Sequence, residues 1–330
     1  MRRYRRGYRY KNRRAPCTSQ PISDLCLCNL IPGRVFSGAN FRLSRLESVS
    51  LVCVMANPSN QKWPNPSFLR WAGSKRQILP VLERFWRREH TRYVEPFAGS
   101  ACLFFRLNPK RALLGDLNRA LMQVYREVKR RPAQVVEQLK HLATRGTTRK
   151  AYLAVRDDSN VDLPGPALAA RFIYLNRFCF NGLYRTNARG GFNVPYGGEK
   201  SGRLPPPEII FGCSEKLRGA VLVSGDFERV LSLARAGDFV YMDPPFSVAA
   251  RRIFREYHQS SFCSEDLARL RDWMERLATK GISFLVSYAE SEEAGFLKRG
   301  FRTSTVTVRR NIAGFAGART CSREVLIYPE

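Results

Sequence analysis

An α/β fold is predicted, with a mostly parallel sheet, an antiparallel hairpin at its C-terminal edge and a mainly helical insert. Three observations predict it. Short apolar runs alternate with segments of helical period, helical segments crowd residues 126–205, and the last two apolar runs have no helical pattern between them. Strands separated by helices pair in parallel through right-handed crossovers, whereas consecutive strands without a helix pair antiparallel.

The segment RQILPVLERFWRREH sets Ile78, Leu82, Phe85 and Trp86 at helical spacing, which predicts a helix. Tyr93-Val94-Glu95 reads as a short buried strand, and PFAGSA as a small-residue turn opening the helix SACLFFRL. ALLGD is a second strand ending in Asp116, followed by the amphipathic helix LNRALMQVYREVKRR. PAQVVEQLKHLA, RKAYLAVRDD and PALAARFIYLNRF read as separate helices before a polar, glycine-rich stretch. Alternation resumes with AVLVS and the helix DFERVLSLARA, then DFVYM running into DPPF, then the helix SEDLARLRDWMERLATKG leading to ISFLVSY. A short helix at 290–299 precedes FRTSTVTVR and SREVLIY, the terminal hairpin. The division expected is a sheet domain from 55–125 and 206–330, an insert at 126–205 and an arm at 1–54.

Charge narrows the function. The 330-residue chain carries 56 Lys and Arg against 28 Asp and Glu, a net +28 that points to a polyanionic partner, most commonly nucleic acid. No apolar run approaches the roughly 18 residues of a membrane span, so a transmembrane protein is excluded. Nine cysteines without a CxxC pair fit reduced thiols in a cytosol, and His90, His141 and His258 have no partner spacing, so no metal site is expected. Residues 1–54 hold eleven of the basic residues and two acids, interleaved with tyrosine at the start. A nucleic-acid-binding tail, a targeting segment and residues absent from the natural product are the readings of this arm. Met55 directly precedes the first organised segment and is the expected physiological start.

In an open α/β sheet, ligands bind beyond the carboxyl ends of the strands. After the first strand come Glu95, Phe97 and Gly99; after the second, Asp116; after the fourth, Asp243-Pro244-Pro245-Phe246. Gly99 lets backbone approach a ligand, and an acid ending the second strand is placed to accept ribose hydroxyls, which together describe a nucleoside-cofactor site.

PSFLRWAGSKRQILP (66–80), YVEPFAGSACLF (93–104), LGDLN (114–118), YLNRFCFNGLYRTNARGGFNVPYG (174–197), VYMDPPF (240–246) and the terminal VRRNIAGFAGARTCSREVLIYP resemble, in the same order, the motifs of the Dam-type (D12 class) adenine-specific DNA methyltransferases. The resemblance covers nearly all of 66–329 and none of the first 55 residues. It implies a Rossmann-like S-adenosylmethionine-dependent methyltransferase sheet acting on double-stranded DNA in a bacterial or phage-infected cytoplasm. A monomer is expected, and a cognate restriction endonuclease is the further partner the resemblance admits. It also implies a cofactor pocket lined by Trp71, Gly73, Lys75, Glu95, Phe97, Gly99, Asp116, Asp226 and Asp243. DNA contacts are implied for Arg70, Asn181, Arg185, Asn187 and Arg189, with arginine to guanine and asparagine to adenine as the major-groove pairings; Arg309 and Arg310 either contact phosphate, which the overall charge favours, or solvate an exposed strand end. GATC is the implied target.

The catalytic residues implied are Asp243, Pro244, Pro245 and Phe246. An exocyclic adenine amine is a poor nucleophile because its lone pair is delocalised into the ring. Acceptors that hold its two hydrogens as it pyramidalises stabilise the transition state more than the ground state. Asp243 and the Pro244 carbonyl supply those acceptors, and Phe246 a ring on which a flipped base stacks. The chain departs from the commonest family residues at Ser74, Ala101, Phe246 and Thr186.

Two other function classes fit parts of the sequence. A catalytically weak or inactive nucleic-acid-binding protein on this fold accords with the charge and the departures, although a binder needs neither Asp116 nor Asp243. Methylation of cytosine's exocyclic amine or of a protein amide uses related motifs, and the segment from Asn181 to Gly197 favours adenine in DNA. A zinc deaminase is excluded, because its H-x-E and P-C-x-x-C elements are absent.

Overall fold

The computed structural model describes residues 67–158, 163–198, 201–245, 262–310 and 320–330, with 309–310 and 320–321 described by backbone alone. The arm at 1–54, Met55, Phe246 and His258 lie outside the described residues.

Seven strands form one sheet: β1 (Arg92–Glu95), β2 (Ala112–Asp116), β3 (Ala220–Ser224), β4 (Asp238–Met242), β5 (Ser283–Ala289), β6 (Arg302–Arg310) and β7 (Thr320–Tyr328). Their order is β3-β2-β1-β4-β5-β7-β6. Strands β1 to β5 pair in parallel, and β7 lies antiparallel between β5 and β6. The expected hairpin is present, with its second strand on the inside. Burial explains the order: Leu326 and Ile327 of β7 are fully buried, whereas polar residues dominate the RTSTVTVRR of β6.

The helices are α1 (Leu79–Leu82), α2 (Cys102–Leu107), α3 (Arg119–Arg130), α4 (Pro132–Thr144), α5 (Arg149–Asp157), α6 (Gly165–Phe178), α7 (Pro207–Leu217), α8 (Phe227–Leu231), α9 (Ser264–Thr279) and α10 (Glu292–Leu297). Successive strand residues point to opposite faces. Tyr93, Leu114, Phe239, Tyr241 and Leu285 join a core with α2, α3, α4, α6 and α7. Val94, Leu113, Val240, Met242 and Phe284 join a second core with α8, α9 and α10. Both faces are covered, which is why the parallel strands are continuously apolar. A smaller cluster, including Tyr152, Tyr174, Phe178 and Val194, unites α5, α6 and the segment that follows α6.

Two predicted helices are shorter than their patterns. Residues 76–85 form a 3-10 turn (Arg76–Ile78), α1 and a second 3-10 turn (Glu83–Phe85), because Pro80 lacks an N–H and sits at the start of α1. The apolar face survives: Ile78 and Leu82 are buried, and Phe85 and Trp86 pack on the core. After β3, the helix stops at Leu231 and tightens into turns through Leu233 N to Val230 O (3.1 Å) and Ala234 N to Leu231 O (3.0 Å). Arg92 fastens this reversal, donating to the Leu233 carbonyl at 2.7 Å and to Asp238 Oδ2 at 2.6 Å.

Candidate active site

The parallel pairing of β2, β1 and β4 brings three sequence-distant acids to one end of the sheet. Asp116 ends β2, and its carboxylate accepts the Gly99 N–H at 3.0 Å and the Asn118 N–H at 2.8 Å, one on each oxygen. Each oxygen keeps a lone pair for a further donor. Burial pushes the Asp116 carboxyl up, and these two N–H groups pull it back. Gly99 adopts φ +46, and a Cβ there would stand 2.9 Å from the Trp71 indole, so the glycine is needed for the close approach of this loop to Trp71. The Tyr125 hydroxyl donates to the Gly99 carbonyl at 2.7 Å and holds the loop from below.

Three of the four departures from the family motifs fall on described residues. Ala101 has φ 47 and ψ 38, the left-handed conformation that glycine adopts freely and that alanine reaches at a cost of about 1–2 kcal/mol. Ser74 Oγ lies 3.3 Å from Ser100 Oγ, so its hydroxyl ties the segment after Trp71 to the loop that follows β1. Thr186 bridges to Phe192 across the hairpin. Phe246 lies outside the described residues.

Asp243 follows β4 and receives the Lys75 ammonium on Oδ1 at 2.6 Å and the Ser287 hydroxyl on the same atom at 3.2 Å. Ser287 in turn shares a hydrogen bond of 2.9 Å with the Tyr241 hydroxyl. Lys75 is buried, donates also to the Gly73 carbonyl at 3.2 Å, and lies 3.9 Å from Glu324 Oε2. Burial pulls the Lys75 pKa down, but Asp243 and Glu324 outweigh it and the net shift is upward. Lys75, expected in the cofactor pocket, thus has its ammonium on the acid of the DPPF motif.

Glu95, at the end of β1, is buried, and neither its Oε2 nor the Tyr93 hydroxyl closes a well-formed hydrogen bond. Burial pushes the Glu95 carboxyl well up; the nearby Tyr93 hydroxyl opposes this, while the Asp243 and Asp116 charges add to it. A carboxyl with a raised folded pKa contributes stability below its unfolded value, and loses that contribution as pH rises through the folded pKa. Glu95→Gln stays neutral throughout. It is therefore expected to flatten the fall in Tm of the ligand-free protein as pH rises above the ordinary 4.5 towards alkaline values. Thermal melts across that range check it, and parallel curves for the two proteins would refute it.

Phe97 packs on Phe227 (5.3 Å) and Phe262 (6.0 Å), forming an aromatic wall. Asp226 follows β3, caps α8 by accepting the Glu228 N–H at 3.0 Å, and receives Arg269 Nη2 at 2.6 Å on the same oxygen. Gly73 is exposed with φ +81.

The hairpin predicted to meet DNA runs from Tyr184 to Pro195. Arg185 crosses it, donating to Asn193 Oδ1 at 2.8 Å and to the Asn193 carbonyl at 3.2 Å. Asn187 Oδ1 accepts the N–H groups of Arg189 (3.0 Å) and Gly191 (2.9 Å), so this side chain builds the turn. Arg189 is exposed at the tip. Asn181 has φ 54, a conformation asparagine tolerates better than most residues, and is exposed beside Phe180, which is 40% accessible. Arg70 is clamped to the insert: its N–H donates to Asn176 Oδ1 at 2.9 Å, and Asn176 Nδ2 donates to its carbonyl at 2.6 Å. Burial, then the charges of Arg76 and Arg70, push the Arg177 pKa down to about 10. The side chains of Arg309 and Arg310 lie outside the described residues.

Sequence reasoning missed Ser287, Glu324, Asn176, Tyr184, Phe180 and the exposed Leu117 beside Asp116. For Ser287 a signal existed, a polar residue inside the apolar strand SFLVSYA, since such groups are buried only with partners. Among the described residues no group of His, Cys, Asp and Glu is arranged to hold a metal ion, and no helix is long and apolar enough to cross a membrane.

The sequence pattern of the D12 class N6 adenine-specific DNA methyltransferases matches residues 71–312. The chain is 34% identical over 267 residues to the type II methyltransferase M1.LlaDCHI of Lactococcus lactis subsp. cremoris, which covers 79% of this chain and 94% of that protein. It is 32% identical over 263 residues to the DNA adenine methylase of Vibrio cholerae serotype O1, again covering 79% and 94%. The DNA adenine methylase of Escherichia coli (strain K12) is 31% identical over 264 residues, with the same coverage. With this match, and with the three acids gathered at the carboxyl ends of β1, β2 and β4, the chain belongs to the D12 class of N6 adenine-specific DNA methyltransferases.

Proposed function

We propose that the protein moves a methyl group from S-adenosylmethionine to the N6 amine of an adenine extruded from duplex DNA, within the sequence GATC. The observation that carries this reading is Asp243. The Lys75 and Ser287 contacts both fall on its Oδ1, which leaves Oδ2 to accept a hydrogen from the substrate amine. Pro244 and Pro245 donate no N–H to the sheet, so the chain leaves the ladder here and the Pro244 carbonyl is available as the second acceptor. Withdrawing both amine hydrogens towards acceptors localises the nitrogen lone pair as the transition state forms.

The pocket residues fit the donor. The orphaned Glu95 Oε2 and the spare lone pairs of Asp116 suit a ligand bringing hydroxyl and ammonium donors. Bound S-adenosylmethionine supplies an electrophilic methyl on a sulfonium. Trp71 and Phe97 would flank it, Asp116 would take its ribose, and Leu117, 56% accessible, would cover its base. On the DNA side, Arg70, Arg185, Arg189 and the half-buried Arg177 would supply positive charge to the phosphates, with the exposed Asn181 and Phe180 as further contacts. The division follows the same roles, with catalysis on 55–125 and 206–330 and target recognition on 126–205. The reading includes monomeric action and a cognate restriction endonuclease as partner, the latter supported by the type II names of the relatives from Lactococcus lactis and Methanocaldococcus jannaschii.

Labelled donor incubated with duplexes that carry one GATC, or the same bases scrambled, tests this, with nucleoside analysis of the product. N6-methyladenine confined to the GATC duplex is expected. Methyl in another context would overturn the target assignment, and DNA binding without transfer would leave a nucleic-acid-binding protein.

A further inference from the structure

Tyr184 opens the recognition hairpin, yet its ring belongs to the cofactor side. It stacks on Trp71 with centroids 6.2 Å apart and planes 18° from parallel, and on Phe172 of α6 at 5.4 Å and 25°. Phe192, on the returning limb, tilts against it at 5.7 Å and 54°. Burial pushes its hydroxyl up, and the nearby Asn118 side chain opposes that. Both partners on the cofactor side are themselves fixed to the pocket. The Trp71 indole lies where a Gly99 side chain would begin, 2.9 Å from a Cβ built there. Asn118 caps α3 through the Leu121 N–H at 3.0 Å, and its own N–H is held by Asp116 at 2.8 Å.

One ring therefore touches the β1 loop through Trp71, while its backbone continues into the segment cross-linked by Arg185 and Asn193. Neighbouring contacts make the junction stiff. Gly182 sits against Arg70, where a Cβ would stand 2.9 Å from Arg70 Cβ, and Asn176 clamps the Arg70 backbone. A displacement of the hairpin by DNA would have to move the Tyr184 ring, and with it the indole that walls the pocket.

We infer that Tyr184 is a positioning residue coupling the DNA-recognition hairpin to the methyl-donor pocket, so that duplex DNA and donor change each other's affinity through its ring. This rests on the donor reading proposed above. Thermodynamic linkage makes the effect reciprocal: the factor by which DNA changes donor affinity equals the factor by which donor changes DNA affinity. A residue that only fills space would, when truncated, weaken both affinities and leave that factor alone.

The test is calorimetric binding of S-adenosylhomocysteine, the unreactive demethylated donor, to the full chain with and without saturating GATC duplex. Duplex affinity is measured reciprocally. The unaltered protein is expected to show a coupling factor of at least about fivefold, the lower end of ordinary coupling. Tyr184→Leu is expected to bring it close to one. Tyr184→Phe keeps the stacked ring and loses the hydroxyl, and is expected to retain more than half of the coupling on a logarithmic scale. A factor of one in the unaltered protein, or an unchanged factor in a folded Tyr184→Leu, overturns the inference while the donor reading stands. Failure of the unaltered protein to bind S-adenosylhomocysteine overturns both. Should Tyr184→Leu not fold, Tyr184→Met takes its place in the same comparison, and an unchanged factor there overturns the inference.

Discussion

Asp243→Asn is expected to lower methyl transfer to adenine by about 100- to 1000-fold, the usual consequence of removing one preorganised group from a developing charge. The substitution keeps the shape of the side chain but halves its accepting capacity. Lys75 already donates to Oδ1 at 2.6 Å, so the carbonyl of the new amide is held by the ammonium. Its NH2 then faces the substrate amine, where two donors oppose each other and the lone pair is not released. DNA affinity is expected to stay within a few-fold, because the hairpin is untouched. Single-turnover rates beside equilibrium binding check this. A variant whose rate stays within a few-fold of normal would show that Asp243 is not the acceptor.

Lys75→Met is expected to destabilise the protein by about 3–5 kcal/mol, the scale for removing one partner of a buried ion pair. The methionine replaces most of the aliphatic stem, so packing is not the main loss. The Lys75 ammonium lies 2.6 Å from Asp243 and 3.9 Å from Glu324, and without it these carboxylates face each other with Glu95 nearby. The net upward shift of Lys75 means its pairing contributes stability that is fully present below its ordinary 10.5 and is lost only as pH rises through the folded value. At neutral pH the whole contribution is therefore in place. Adding Glu324→Gln to Lys75→Met should recover part of the deficit. Denaturant unfolding of the single and double variants checks this, and strictly additive effects would argue that the two residues do not interact.

Much of this was legible in the chain. Period and alternation placed the strands, because a parallel sheet covered on both faces demands unbroken apolar runs such as Phe239-Val240-Tyr241-Met242. They also placed the acids Glu95, Asp116 and Asp243, which stand where such strands end. Local pattern overreached where the backbone chemistry was against it. Pro80 broke the helix expected over 76–90, and the Arg92 contacts drew the segment after Leu231 into turns.

The side-chain partnerships at the site were not legible. Lys75 looked like one more cofactor residue, and its pairing with Asp243 joins positions 168 residues apart in the chain. Glu324 reaches the same ammonium because β7 lies inside β6, an order that strand pattern alone leaves open. Asn187 had the composition of a base reader, but its carbonyl oxygen closes the turn that carries it. By itself the sequence determined the fold class, the family and the positions of the acids, since these follow from local periodicity and from motifs that are contiguous in the chain. Only the tertiary structure decided which charge pairs with which, and which ring joins hairpin to pocket. Those interactions act over a few ångströms in space, and nothing in the local sequence encodes which distant residues will share that space.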